Sequence, residues 1–408
     1  MGHLVGGISS AGRVMPSLDG VPFLVTRAQG PYVWDRERRY IDTALGFGAT
    51  LVGHAHPAVV EAISHAASQG SMPAFAHPGE EAAAAALSAA TGNLSRVIFT
   101  NTGSEAVHLA CRLARAYTRR GRIAKMAAGF DGWYDEVAYG NAGASEAAML
   151  SNTRPIRDHM TLVRFNDFDD VERLFEEFDD IAAILFEPML ANAGCLSPAE
   201  GYLRHVEAVA RRHGALLIAD EVLMGFRTRF GLTCHAHGIS PDIATLGKLI
   251  GSGVPVAAVV GTPEVMEGCE RGEVVRAGTY SGNPIATGAV SATMEILGKL
   301  DYEALLARGE GLRGEIVRAF AEAGIEVSTS GCGTVFTLWF TPHLPRTYAE
   351  ALAVMAPPRT VAFHLEARRR GLVTMPFAFG RMYLSTAHEP EVLAEMTEVV
   401  RGIAKTMS

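Results

Sequence analysis

The sequence predicts an α/β protein, with a large domain on a mainly parallel sheet flanked by helices and a smaller α+β domain. Two observations support this prediction. Short apolar stretches that fit buried strands alternate with helix-like stretches along most of the 408 residues, which is typical of a parallel sheet with crossover helices. After about residue 300 the alternation gives way to a charged helix, a strand-like stretch and a Pro-rich stretch, which indicates a second unit.

The strands of the large domain are predicted from short apolar stretches bounded by turn-forming or charged residues, as strands buried on both faces are. They are 97–100, 181–186, 215–219 and 256–260. Helices are predicted at 80–90, 105–119 and 202–213. In the second of these, helical spacing places small and apolar residues on one face and the arginines elsewhere. That face consists of Ala106, Ala110, Leu113, Ala114 and Tyr117.

The smaller domain is predicted from both ends of the chain. Its C-terminal part has a helix at 302–323, a strand at 334–340 and a helix at 360–370. The opening segment to about Tyr40 has no long helix, so we expect it to pack on this unit. The expected division is an N-terminal segment, 1–45, which packs with the small domain, a large domain, 46–298, and a C-terminal small domain, 299–408.

Composition excludes several classes of protein. Hydrophobic residues make up 48% and charged residues 20%, which excludes disorder for most of the length. The formal net charge of −8 lacks the basic surplus that nucleic-acid binding requires. The longest apolar stretches, such as 181–186 and 254–260, are far shorter than the roughly 18 to 20 residues that span a bilayer. We therefore expect neither nucleic acid nor a membrane as a partner.

The cysteines and the N-terminus favour a cytoplasmic protein. The five cysteines are too widely spaced for a metal knuckle or a dense disulfide framework. The first ten residues have no basic region followed by an apolar core, so no secretory signal is expected. His54 and His56 are two residues apart with no third ligand nearby, which is poor zinc geometry. We expect no metal and a turn role before Pro57.

The most informative stretch contains a carboxylate and a lysine. Asp220 follows the strand at 215–219, and the C-terminal ends of strands are where α/β sheets bind ligands. Lys248 lies in an uncharged, partly apolar setting, which would lower an ammonium pKa and allow a Schiff base. Taken singly, Lys248 could be a solvated loop residue, and Asp220 could cap a helix or pair with Arg227. Together they fit pyridoxal phosphate, which needs a lysine for its aldehyde and a carboxylate for its ring nitrogen.

A phosphate site is expected at the helix start that follows the strand at 97–100. Gly103 permits close approach, Ser104 adds a hydroxyl, and the helix start offers backbone N–H groups. Thr102 and Glu105 also have the spacing of a capping box. The two interpretations are compatible, because a capped helix start still presents free donors.

With these residues in place, the chain resembles the class III, fold-type I pyridoxal phosphate aminotransferases, specifically the branch similar to glutamate-1-semialdehyde aminomutase and the β-amino-acid (β-phenylalanine type) transaminases. The resemblance covers nearly the whole chain and implies a mainly parallel, seven-stranded sheet. Its motifs, in order, are Gly30-Pro31-Tyr32-Val33-Trp34-Asp35, Tyr40-Ile41-Asp42, Gly53-His54-Ala55-His56-Pro57, Thr100 to Ala106, Phe186-Glu187-Pro188, Asp220-Glu221-Val222, Leu246-Gly247-Lys248 and Gly278-Thr279-Tyr280-Ser281-Gly282-Asn283-Pro284.

The resemblance implies roles at the cofactor ring. Lys248 would form the internal aldimine and move protons between the substrate carbon and the cofactor, while Asp220 would pair with the pyridine nitrogen. Val222 and Phe130 would press on the two ring faces. The family usually has His after the aromatic residue, and this chain has Asp131, so Asp131 becomes a candidate for substrate or ring contacts.

The resemblance also implies roles around the ring. Gly103 and Ser104 would hold the phosphate with Thr279 of the neighbouring subunit, which implies a homodimer with shared sites; otherwise Thr279 is a turn residue. Glu187 and Asn192 would lie near the phenolic oxygen, or in a simple solvated loop.

Besides Asp131, three residues are candidates for substrate binding. Arg13, after Ser10, matches the aminomutase arginine that binds a carboxylate, and arginine suits that role through two parallel hydrogen bonds; otherwise it is a flexible surface residue. Phe47 replaces a Ser-Trp pair of the aminomutase and makes the pocket more apolar. Arg381 lies about two residues from a C-terminal arginine that holds the carboxylate in the β-phenylalanine type enzymes.

The resemblance therefore implies a ping-pong transaminase that moves an amino group between a β- or otherwise distal amino acid with an apolar body and a keto acid. Glutamate-1-semialdehyde 2,1-aminomutase is the alternative within the same machinery. A paralogue that binds the cofactor without turnover is disfavoured, because it would need neither Lys248 nor Asp220. A decarboxylating relative stays open.

Overall fold

A computed structural model describes residues 3–149 and 154–408 of the chain. Its strands are β1 (Val25–Gln29), β2 (Tyr32–Asp35), β3 (Arg38–Asp42), β4 (Arg96–Thr100), β5 (Arg122–Met126), β6 (Ile156–Arg157), β7 (Met160–Val163), β8 (Ile181–Phe186), β9 (Leu216–Asp220), β10 (Ile243–Leu246), β11 (Ala257–Gly261), β12 (Ser328–Cys332), β13 (Val335–Trp339), β14 (Leu372–Val373) and β15 (Arg381–Tyr383).

The helices separate most of these strands. They are α1 (Leu45–Gly48), α2 (Pro57–Gln69), α3 (Pro78–Ala90), α4 (Gly103–Thr118), α5 (Asp135–Ala138), α6 (Phe168–Glu177), α7 (Tyr202–Arg212), α8 (Pro263–Glu270), α9 (Pro284–Leu297), α10 (Tyr302–Glu322), α11 (Tyr348–Val354), α12 (Pro357–Arg369) and α13 (Pro390–Met407). Short 3-10 turns include Ala11–Arg13, Ala191–Ala193 and Lys248–Gly251.

The large sheet confirms the predicted fold class. In the described residues it has the order β4-β11-β10-β9-β8-β5-β7-β6. Strands β10, β9, β8, β5 and β7 pair in parallel, and β11 is antiparallel to both of its neighbours. The resemblance implied seven strands, and the eighth is the two-residue β6, which adds an antiparallel edge beside β7.

The central strands are apolar because helices cover both faces of the sheet. Every residue of β8, β9, β10 and β11 is buried, which explains their continuous apolar runs. Helix α4 lies against this sheet and begins with the predicted capping box: the Thr102 side chain accepts from the Glu105 N–H, and the Glu105 side chain accepts in return. The four predicted strands are confirmed to within one residue.

The two chain ends meet in a second region of sheet. Strands β1, β2 and β3 form an antiparallel meander whose last strand pairs in parallel with β14. A three-stranded sheet, β12-β13-β15, lies beside α10 in the same C-terminal part. The end of the opening segment thus pairs with a strand of the C-terminal part, and the division into domains stays a prediction.

In the described parts of the chain, no helix is long and apolar enough to cross a membrane.

Candidate active site

The parallel strands bring the predicted residues to one edge of the large sheet. Strands β4, β5, β8, β9 and β10 end there, and the segments that follow them carry the chemistry-bearing side chains. This is the edge at which α/β sheets bind ligands. A cavity of about 350 Å³ opens at this edge. Seven of the predicted residues line it: Gly103, Ser104, Phe130, Asp131, Asp220, Val222 and Lys248.

Lys248 begins a 3-10 turn directly after β10, with a φ of 44°. A non-glycine residue in this region stores strain, which is common at functional sites. Within the described residues its ammonium donates no hydrogen bond. Burial lowers the pKa of Lys248 to about 8, against the opposing effect of the Asp220 charge. The amine is therefore available as a base or nucleophile near neutral pH.

Asp220 ends β9 and is 4% exposed. One carboxyl oxygen accepts hydrogen bonds from the Val222 N–H at 2.9 Å and the Thr245 hydroxyl at 3.0 Å. These donors fix the carboxyl plane and leave the second oxygen for another partner. Burial, together with the nearby Asp131 charge, raises the pKa of Asp220 to about 7.

The start of α4 forms one wall of the cavity. A Cβ added to Gly103 would lie 3.0 Å from a Val222 methyl group, so any larger residue would have to displace the Val222 side chain. The first helical N–H groups, those of Gly103 and Ser104, have no acceptor four residues back and point out of the helix. The Ser104 hydroxyl accepts from the Trp133 N–H at 3.3 Å. This wall can hold an anion such as a phosphate.

A buried charge cluster lies behind the cavity, and it includes a residue that the sequence analysis missed. Lys125, in β5, is fully buried, and its Nζ lies 3.3 Å from Asp131 Oδ2. Glu187, 3% exposed, accepts from the Phe130 N–H at 2.7 Å. The only signal for Lys125 is a second charge, besides Arg122, in the otherwise apolar stretch 122–126, and such a charge by itself indicates an exposed strand position.

Arg381 lies outside the cavity but within electrostatic range of Lys248. It is buried in β15, and its guanidinium donates to the Tyr383 hydroxyl at 2.8 Å and to the Ala191 carbonyl at 3.2 Å. Among the residues the structure describes, none forms a carboxylate ion pair with it. Phe47 belongs to the apolar cluster that contains Tyr383.

Three other predicted residues lie away from the cavity in this chain. Arg13 is exposed in the 3-10 turn Ala11–Arg13. This turn nevertheless lies near the Phe47 ring, because a Cβ added to Gly12 would be 3.7 Å from the nearest ring carbon. Asn192 is half-buried in the turn Ala191–Ala193. Thr279 is exposed in the loop before α9 and does not line the cavity.

The comparisons with known proteins agree with this geometry. The family described as Aminotransferase class-III matches residues 15–330. A glutamate-1-semialdehyde 2,1-aminomutase from Neisseria meningitidis serogroup A is 35% identical over 416 aligned positions, which cover 99% of this chain and 96% of the relative.

Two solved structures are similar over nearly the whole chain. An omega-transaminase from Sphaerobacter thermophilus has a TM-score of 0.89 at 26% identity and covers 98% of this chain and 94% of its own. A β-phenylalanine aminotransferase from Variovorax paradoxus has a TM-score of 0.86 at 24% identity, with 98% and 90% covered; at that identity the likeness supports the fold alone.

Proposed function

From the premise that the chain belongs to the class III aminotransferases and is a pyridoxal 5′-phosphate-dependent transaminase, we propose that its amino donor is a β- or otherwise distal amino acid with an apolar body. The acceptor is a keto acid, and the two half-reactions alternate at one site.

The residues at the cavity fit the cofactor. When bound, pyridoxal phosphate supplies an aldehyde that condenses with amines and a ring that withdraws electrons. Lys248 offers an amine that donates no hydrogen bond to any described residue, and Asp220 offers a fixed carboxylate oxygen. Gly103 and Ser104 offer a helix start for the phosphate. We assign the ring faces to Phe130 and Val222, and the phenolic oxygen to Glu187 and Asn192.

Lys248 is assigned as the base that moves the proton between the substrate carbon and the cofactor. Its lowered pKa, about 8, keeps a useful fraction of the amine neutral near physiological pH. With the cofactor bound, Asp220 would pair with the ring nitrogen and favour its protonated form. The fixed carboxyl plane orients this contact without a side-chain rearrangement.

The observation that carries the substrate assignment is the setting of Arg381. Its guanidinium is buried, lies in electrostatic range of Lys248 and has no carboxylate partner among the described residues. A buried guanidinium without a counterion favours an anion. Apolar side chains surround this place, including Phe47, Met375 and Phe377. A carboxylate next to an apolar body matches both features.

We also propose that the enzyme is a homodimer with shared sites. Thr279 is exposed and does not line the cavity of its own subunit, and large apolar side chains are exposed nearby. Trp133 and Val275, which are 79% and 63% exposed, line one groove of about 490 Å³ together with Arg276. Exposed apolar patches of this kind favour an interface. In the dimer, Thr279 of the partner subunit completes the phosphate site.

A half-reaction screen tests the proposed donor. The cofactor-loaded protein receives α-amino acids, β-amino acids or simple amines one at a time, and the loss of its visible absorbance is followed. We expect aromatic and aliphatic β-amino acids to convert it fastest. Conversion by the α-amino acid that the acceptor yields is expected too, because each half-reaction is reversible, and failure of every β-amino acid to convert the enzyme would overturn the donor assignment.

The aminomutase reaction is the second candidate, because the 35% identical relative carries that name. The same screen separates the two. A response restricted to 4,5-diaminovalerate and glutamate-1-semialdehyde would replace the transaminase proposal with the aminomutase one.

A further inference from the structure

Arg381 and Tyr383 form a hydrogen-bonded pair on one face of β15. They are two positions apart, so their side chains leave the same face of the strand, while Met382 between them packs into the apolar core of the C-terminal part. The Arg381 Nε–H donates to the Tyr383 hydroxyl at 2.8 Å, and Nη1 donates to the Ala191 carbonyl at 3.2 Å. Because these contacts involve two nitrogens of one rigid plane, they fix the orientation of the guanidinium.

Both partners of this pair keep unused hydrogen-bonding capacity. Among the described residues, none accepts from Nη2 of Arg381 and none accepts the phenolic hydrogen of Tyr383, although Tyr383 is fully buried. A phenol can donate as well as accept, and a buried O–H without an acceptor is unfavourable. The planar guanidinium directs its Nε–H and one Nη2–H to the same side. An oxygen that accepts from Nη2 on that side therefore lies within reach of the phenolic hydrogen.

A second buried guanidinium lies against the ring of the same phenol. The Cζ atom of Arg227 is 5.3 Å from the centre of the Tyr383 ring. Arg227 donates to the Leu223 and Gly48 carbonyl groups, and its Nη1 has no partner among the described residues. Like Arg381, it forms no ion pair with any described carboxylate. Two buried cations thus flank one phenol without a counterion, which favours an anion at this place.

The segment α1 connects this place to the cavity. It packs both on β15 and on the 3-10 turn that begins with Lys248. A Cβ added to Gly48 would lie 2.7 Å from the Tyr383 ring, and the next residue, Ala49, lines the cavity. The Tyr383 ring therefore lies directly behind this part of the cavity wall.

We propose that Tyr383 is a substrate-binding residue: its hydroxyl accepts from Arg381 and donates its own hydrogen to the carboxylate that Arg381 binds. The phenol then has two effects on recognition, because it holds the guanidinium in one orientation and adds a donor beside Nη2. This inference rests on the proposed carboxylate contact of Arg381, and it does not depend on which amino acid is the donor.

Calorimetric titration of the cofactor-loaded protein tests the proposal without turnover. The first probe is 3-phenylpropanoate, which has a carboxylate and an apolar body and carries no amine that could react. The second is 3-phenylpropanamide, which has nearly the same shape and no charge. Comparison of the two separates recognition of the carboxylate from binding of the apolar body.

Tyr383→Phe removes the hydroxyl and keeps the ring that packs on Gly48 and Arg227. We expect it to weaken binding of the acid about tenfold, as the loss of a hydrogen bond to a charged group does, and to change binding of the amide by less than about threefold. Tyr202→Phe is the control, because it also removes a buried hydroxyl, one that donates to the Arg164 carbonyl at 2.9 Å. It should bind both probes as the wild type does.

Unchanged affinity of Tyr383→Phe for the acid, or equal weakening of both probes, would overturn the proposal. Arg381→Ala separates this outcome from a failure of the proposed function. If Arg381→Ala loses its preference for the acid and Tyr383→Phe keeps it, Arg381 binds the carboxylate without the phenol. If the wild type binds the acid no better than the amide, the carboxylate site itself is wrong.

Infrared difference spectra decide the matter if Tyr383→Phe fails to fold. They are recorded on the wild-type protein with isotope-labelled tyrosine, so that tyrosine bands are identified. The acid should shift a tyrosine C–O band and the amide should leave it in place, and tyrosine bands that the acid does not move would contradict the proposal.

Discussion

At the residue scale, the site contains ionisable groups whose pKa values burial shifts toward the neutral form. Burial raises the pKa values of Asp131, Glu187 and Asp220 and lowers those of Lys125 and Lys248. Each group by itself destabilises the fold, and together they compensate one another in part. Clusters of shifted groups in a cleft are typical of catalytic sites, which fits proton transfer as the central chemistry.

The role of Arg381 gives the first prediction. Arg381→Ala should raise the KM of a β-amino acid roughly ten- to hundredfold, because a hydrogen bond to a charged group contributes about 1.5 to 3 kcal/mol. The KM of an amine without a carboxylate should change little. Steady-state kinetics on both substrates measure this split.

Two further arginine variants complete the test. Arg13→Ala asks whether the N-terminal arginine shares the carboxylate, and Arg359→Ala, on the exposed start of α12, is the control. If Arg13→Ala raises the KM of the β-amino acid alone and Arg381→Ala does not, the carboxylate contact belongs to Arg13 in the N-terminal segment and not to Arg381.

The second prediction concerns Glu221, whose burial raises its pKa to about 7. One of its oxygens accepts from the Cys234 N–H at 2.7 Å, and the other has no partner among the described residues. In the unfolded chain a glutamate titrates near 4.3. The folded state therefore binds the proton more tightly, and this contribution to stability is present below about pH 4 and is lost as the pH rises through about 7.

Glu221→Gln should flatten that part of the stability profile, because the amide keeps the acceptor and cannot ionise. Denaturant unfolding at a series of pH values between 4 and 8 measures the slope. Glu322→Gln, an exposed glutamate of α10, is the control. An unchanged slope in Glu221→Gln would show that this carboxyl is not the source.

At the element scale, the one-turn segment α1 connects the strands of the N-terminal sheet to the site. Its four residues, Leu45 to Gly48, all have positive φ values between 45° and 85°. For Leu45 and Phe47 such a conformation costs of order 1 to 3 kcal/mol each. The segment is held by its packing on β15, and it places Phe47 beside the apolar cluster next to Arg381.

The third prediction follows from Gly48 in this segment. A Cβ there would lie 2.7 Å from the Tyr383 ring and 2.8 Å from the Arg227 guanidinium, at a φ of 85°. Gly48→Ala should therefore destabilise the protein by more than about 1 kcal/mol. Gly311→Ala, in α10 with nothing within 4 Å, should instead stabilise it by about 0.5 to 1 kcal/mol. Denaturant unfolding compares the two, and similar values would contradict the packing argument.

Periodicity predicted the elements unevenly. The strands that became β4, β8, β9 and β11 are mostly apolar, and their bounds were predicted to within one residue. Strands β5, β7 and β10 were missed because β5 contains two charges and the others are only four residues long. On α4 the predicted face is buried except for Tyr117, which is 50% exposed. Helical spacing shows which side of the helix faces the protein, but it does not show how far along the helix the neighbouring surface extends.

At the scale of the whole molecule, the shared phosphate site makes the fourth prediction. Neither Lys248→Ala nor Thr279→Ala should bind the cofactor normally: the first loses the visible absorbance of the loaded enzyme, and the second loses affinity for it. In a mixed dimer, the Thr279→Ala subunit keeps its own Lys248 and receives Thr279 of the partner subunit. Refolding the two variants together should therefore restore wild-type affinity in up to half of the sites of the mixed dimers.

Spectrophotometric titration with pyridoxal 5′-phosphate measures this complementation, and light scattering gives the mass of the assembly. Each variant refolded alone is the control. A mixture that shows only the weak affinity of Thr279→Ala would place Thr279 in its own subunit's site or outside the site altogether.

The sequence by itself determined the fold class and the family, because alternating apolar stretches and ordered motifs around Lys248 and Asp220 are local signals. It also named seven of the residues that line the cavity, since those follow strand ends. The tertiary structure alone decided how Asp131, Lys125 and Glu187 interact, because the loop after β5 turns back to bring Asp131 to Lys125 and because Glu187 follows a different strand, β8. It also distinguished the buried Arg381 from the exposed Arg13, because burial and electrostatic range depend on how distant segments pack.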